Sequence, residues 1–350
     1  MKDDFYEEHG EQWYENVHPN EACYTAGYGF TPSSPWESEK RTIRHQATVL
    51  AFCMVFYLFL SFFSTSVLYS LYSAFSIFFP SNGMREIAKE TILLFSSVVS
   101  MALPFAVFGA FTKIPIQVAL PKRRVSKKVM AACVGVSLGA SVLGIFASNT
   151  VSIVLGALGV AFKNSMNDFP LDLGALIIYC VNLTLVPAVF EEIAFRGFIM
   201  QSLRRFGDGF ALIISAFCFS LVHITPDRLP HTFIMGLIIG YFVLFTGSLS
   251  TGIMIHLCYN ITITILNYAF TLVGVKFELI NLLAQILMLL AGAGGLIYFF
   301  KNYGKMFKLR QSDTVNSESE KCKTFIFSGG FVILYIVIAI VAAGEVVLMW

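Results

Sequence analysis

Three groups of polar side chains sit in segments otherwise apolar enough for lipid. They are Glu191-Glu192-x-x-x-Arg196, Phe219-x-x-x-His223 and His256-x-x-x-Asn260. A charged group at the centre of a bilayer costs about 2.5–3.5 kcal/mol even on the lenient insertion scale, so such residues are functional candidates by default. Together they hold what hydrolysis requires: a carboxylate to activate water, imidazoles to handle protons, and an amide to donate to a developing oxyanion. Spacing sorts them further. Glu192 and Arg196 are four apart, share a helix face and can pair, whereas Glu191 points about 100° away and is free to face something else. Phe219 shares a face with His223, and His256 with Asn260.

Depth along the helices agrees with a common site. Counting from Arg204, Glu191 lies about 20 Å in, and counting from Gly209, His223 lies about 21 Å in. From Ser250, His256 and Asn260 lie about 9 and 15 Å in. These depths predict a water-filled pocket open to the cytoplasm. Pro187, four residues before Glu191, is expected to kink its helix and free the Leu183 carbonyl. His231 reads as a loop or rim residue, and Asn182 and Asn267 as packing polars.

Other chemistry fits the same residues. A lone histidine or asparagine is most simply interhelical glue, but three motifs on three segments exceed what packing needs. An ion or small-molecule transporter would use buried polar groups as a relay, although no inverted repeat accompanies them. A non-catalytic membrane scaffold would need no particular carboxylate. Glu191, His223 and His256 also form a legitimate zinc set with water as fourth ligand. Against zinc, no H-E-x-x-H helix is present, so the preferred reading has no cofactor.

The elements that must position these residues are membrane helices. Of 350 residues, 56% are hydrophobic and only 13% charged, with a mean hydropathy of +0.72. A soluble domain carries roughly a quarter charged residues, so the fold class is an all-α polytopic membrane bundle. A net charge of +2 gives no footprint for nucleic acid. Seven scattered cysteines, never paired as C-x-x-C, read as small buried hydrophobes. Taking about 20 apolar residues per crossing, spans fall at 48–71, 91–112, 129–150, 173–203, 209–224, 231–247, 251–270, 278–300 and 324–348, nine in all with eight as the alternative. The fifth is short, and the first leaves room for an interfacial helix near Tyr72–Phe79.

Basic residues mark the cytoplasmic side. With the N-terminus inside, 18 lysines and arginines lie inside and five outside, which places the C-terminus outside a cell membrane. Residues 1–45 carry nine acidic side chains and read as a cytoplasmic tail rather than a secretory signal. Its aromatics, including Tyr6, Trp13 and Tyr14, fit either a docking segment or a poorly ordered extension. Residues 46–300 form the membrane domain with the three motifs in a core at 173–270, residues 301–323 a cytoplasmic linker, and residues 324–350 the last crossing.

The three motifs, in this order and spacing, resemble those of the type II CAAX prenyl endopeptidases and bacteriocin-processing enzymes, the CPBP or Abi family of intramembrane proteases. Pro187, Phe195-Arg196-Gly197 and Thr246-Gly247-Ser248-Leu249 fit as well, and the resemblance covers roughly residues 173–265. It implies an endopeptidase acting on a membrane-bound peptide or protein, in processing or immunity. It further implies that Glu191 activates water with help from His223, that His256 and Asn260 stabilise the oxyanion, and that Glu192 and Arg196 hold the site in place.

Overall fold

The computed structural model describes residues 22–25, 29–32, 35–79, 81–162, 169–273, 277–303, 309–310 and 314–348. Tyr6, Trp13 and Tyr14 of the acidic segment lie outside the described residues.

The protein is a polytopic all-α bundle. Its principal helices are α1 (Pro35–Phe75), α2 (Asn82–Thr112), α3 (Lys127–Ala157), α4 (Leu173–Glu192), α5 (Asp208–Leu221), α6 (Leu229–Thr246), α7 (Leu249–Val273), α8 (Phe277–Asn302), α9 (Glu318–Ile326) and α10 (Gly329–Gly344). Local chemistry starts several of them. The side chains of Ser81, Ser126 and Asp172 accept from the backbone N–H three residues on, and Ser317 with Glu320 forms a capping box. Two antiparallel pairs complete the structure: β1 (Ala22–Thr25) with β2 (Gly29–Pro32), and β3 (Val160–Phe162) with β4 (Val346–Leu348).

Seven helices among the described residues are long and apolar enough to cross a membrane, or eight if α9 and α10, bent by 57°, make one span. The expected nine is therefore too many. The difference is α5, whose 14 residues make about 21 Å of helix against a hydrocarbon core of about 30 Å. No separate interfacial helix follows the first span: α1 runs unbroken to Phe75 and ends in one tight turn at Ser76–Phe78.

Packing relies on small residues, which let helices approach closely in lipid. A Cβ on Gly139 of α3 would lie 2.8 Å from the Cα of Gly292 on α8, and one on Gly236 of α6 would lie 2.9 Å from the Cα of Ala216 on α5. Within the segment 301–323, residues 315–321 are tied to the bundle. Glu39, buried near the start of α1, accepts from the backbone N–H of Val315 and Asn316 and from the Asn316 amide, and Lys321 is 1% exposed.

Candidate active site

Helix α4 carries the paired glutamates at its end and passes through Pro187 as helix. A further irregularity follows, a π-helix over Ile193–Ile199 that contains Arg196. Such wide turns concentrate at functional sites. Through this segment the Glu192–Arg196 pair still closes, with Nη1 donating to Oε1 at 2.8 Å and both side chains 0% exposed.

Glu192 is shared. The same Oε1 lies 2.8 Å from Nδ1 of His256 on α7, whose Nε2 lies 3.9 Å from Oε2 of Glu191. One imidazole is thus held by one glutamate and faces the other. Helix α7 reaches this close because residue 252 is glycine: a Cβ there would sit 2.8 Å from Glu192 Oε2. Glu191 keeps 13% of its side chain accessible, in keeping with its different helix face.

Phe219 organises the second motif. The Arg196 guanidinium lies 4.3 Å from its ring centroid, a cation–π contact, and the rings of His223 and His256 meet its edges at 5.0 and 5.9 Å. His223 does not lie inside a helix as its sequence context suggests. It follows the end of α5, in a turn where Ile224 adopts φ 66°, a conformation that a β-branched residue rarely takes. Its Nδ1 lies 2.9 Å from the Phe219 carbonyl. That contact requires the ring N–H at Nδ1 and leaves Nε2 as an acceptor in the neutral ring.

Phe219, His223, His256 and Asn260 line one cavity of about 750 Å³. Asn149, Ser152, Phe162, Asp227 and Arg228 line it too, and they lie at the ends of α3 and α5 away from the basic turn at Arg204. The cavity therefore extends toward the face opposite the basic loops. His231 is not in a loop but in the first turn of α6, lining the cavity, with its ring 5.1 Å from that of Tyr259. Asn267 also lines the cavity. Asn260 Nδ2 makes only a long 3.5 Å contact to the Thr184 carbonyl, which leaves it available to a ligand.

Among the described residues, no group of three His, Cys, Asp or Glu side chains is arranged to hold a metal ion. Glu191, His223 and His256 are accordingly not placed as the alternative zinc set required. Sequence reasoning also missed Tyr57 of α1, which lies within electrostatic reach of Glu191. An aromatic residue in an apolar run carries no signal of that kind.

Residues 173–262 match the Rce1-like family of type II CAAX prenyl endopeptidases. This is the grouping that the three motifs resemble, and the Rce1-like segment contains all of them. The match supports a CAAX-type intramembrane protease in general, a peptide hydrolase with its substrate in a membrane. No curated protein and no solved structure matches the chain.

Proposed function

We propose that the protein is an intramembrane endopeptidase in which Glu191 activates the attacking water. The observation that carries this reading is the asymmetry of the glutamate pair. Glu192 is fully buried and committed to Arg196 and His256, whereas Glu191 stays partly accessible opposite His256 Nε2.

In the proposed reaction a peptide lies extended in the cavity with its scissile carbonyl near Asn260. Glu191 takes a proton from water, and the oxygen attacks the carbonyl carbon. Neutral His223 accepts a hydrogen bond from the same water through Nε2 and orients it. Asn260 Nδ2 donates to the oxyanion, joined by His256 when its Nε2 carries a proton. Collapse breaks the C–N bond, and the proton held by Glu191 passes to the leaving nitrogen. Glu192 and Arg196 position His256 and Phe219 without touching substrate. No cofactor enters this scheme.

The substrate is a membrane-associated peptide or protein. Glu191→Gln preserves volume and hydrogen bonding, so folded yield and melting temperature should hold while cleavage falls at least about 10²-fold, the lower range for general-base work. Full turnover by this variant refutes the mechanism.

We further propose that the protein sits in the cell membrane with its N-terminus in the cytoplasm, given the 18 to five division of basic residues. The cavity then opens on the outer side. A reporter active only in the cytoplasm, fused after Trp350, should stay silent; a signal would mean that the chain crosses an even number of times, eight rather than nine, or that it sits the other way round.

A further inference from the structure

A second cavity of about 250 Å³ lies between α1 and the turn after α5, lined by Tyr57, Ser61, Thr65, Ser66, Val222 and Ile224 among others. The turn that offers His223 to the large cavity thus offers its two neighbours to the small one. Phe62, beside it on α1, is 46% exposed, so the cleft borders the lipid-facing surface. It also lies largely on α1, outside the segment that matches the Rce1-like family.

Half of its lining residues, Tyr57, Ser61, Thr65 and Ser66, nevertheless carry hydroxyls among Leu58, Phe62, Val222 and Ile224. Tyr57, Ser61 and Thr65 recur every four residues and form one stripe on α1, facing Val222 and Ile224 on either side of His223. Thr65 Oγ1 lies 3.2 Å from Ser96 Oγ. A hydroxyl has one donor and two acceptor sites, so each keeps capacity for another partner. A hydrocarbon chain has no use for such a stripe. A peptide does: a segment drawn from the bilayer into extended form exposes N–H and C=O groups, and these are tolerated at membrane depth only where polar partners line the path. The stripe spans about 12 Å, the length of about four extended residues.

We propose that this cleft is the second arm of the substrate site, holding the unwound backbone of a peptide segment that enters from the lipid while the other side of the scissile bond occupies the large cavity. This rests on the endopeptidase reading and specifies its substrate class: a peptide whose cleavage site adjoins a membrane-embedded stretch.

The test compares two peptides that share one cleavable sequence, selected from a library, of which only one carries an apolar membrane-embedded extension. The full chain is placed in phosphatidylcholine vesicles. The double variant Ser61→Ala, Thr65→Val removes two hydroxyls without adding bulk to the cleft. It should raise KM for the embedded peptide about tenfold, the effect of two modest hydrogen bonds, with kcat and the soluble peptide's KM unchanged. The exchange Ser61→Thr, Thr65→Ser keeps both hydroxyls and should restore the original KM. An unchanged KM, a lower one as a hydrocarbon chain would give, or an equal rise for both peptides overturns the proposal. A second readout does not depend on turnover. Binding of the fluorescently labelled embedded peptide to Glu191→Gln protein should weaken by the same factor when Ser61→Ala and Thr65→Val are added, and absent or unaltered binding overturns the cleft. Failure of the catalytic reading is seen separately, as undiminished cleavage by Glu191→Gln with Ser61 and Thr65 intact.

Discussion

Two regions of the molecule bury charge, and they treat it differently. Where α9 meets the ends of α1 and α5, the Lys321 ammonium donates to the Phe206 carbonyl, the Thr314 hydroxyl and the Glu318 carboxylate, which occupies all three of its N–H groups. At the glutamate pair, Oε2 of Glu192 and Nε of Arg196 have no hydrogen-bond partner, although both side chains are fully buried. The first region is closed and ties the chain together. The second is held only as far as needed to fix His256 and Phe219, and borders a large cavity. A saturated charge is inert, whereas an incompletely satisfied one keeps its neighbours sensitive to what enters beside it.

After Glu191→Gln, the largest effect should come from breaking the open cluster. Glu192→Gln leaves Arg196 as a buried cation without its counterion and loosens His256, so stability should fall by about 3–5 kcal/mol, read as a lower melting temperature in detergent, with activity falling as folded protein is lost. A stable but inactive Glu192→Gln variant would exchange the roles given to the two glutamates. The closed region should respond less. Lys321→Met keeps the stem and removes the ammonium, leaving the Phe206 carbonyl short of a partner, at about 1–3 kcal/mol. Turnover per folded molecule should be unchanged, because no residue of this cluster reaches the cavity. A drop in kcat for Lys321→Met would erase the contrast between the two regions.

The chemistry was more legible in the sequence than the architecture around it. Glu192 and Arg196 pair as their four-residue spacing implies, because that spacing survives even a widened turn. Hydropathy cannot show that the fifth apolar segment stops as a 14-residue helix, since burial in protein and burial in lipid select the same side chains. That short helix puts His223 in a turn. The π-helix was invisible for a similar reason: an extra residue in one turn leaves composition untouched. Residues 301–323 read as a linker because they are polar, but Val315, Asn316 and Lys321 find partners on α1 and beside α5 that lie more than a hundred positions away. The direction of the cavity depends on which helix ends are recessed, which no single segment records.

The wide turn at Ile193–Ile199 has a consequence for chain length. In a regular helix, losing one residue rotates everything beyond it by about 100°, and here that would swing Met200 and Leu203 out of the core. A π turn already stores the surplus of one residue that such a loss would consume. Between Gly197 and Ile199 the backbone should therefore absorb a one-codon deletion by tightening to ordinary helix, while the same deletion between Glu192 and Arg196 would also shorten the spacing of the ion pair from four residues to three and turn it away from His256. Within this one helix, tolerance to insertion and deletion should change abruptly over a handful of positions.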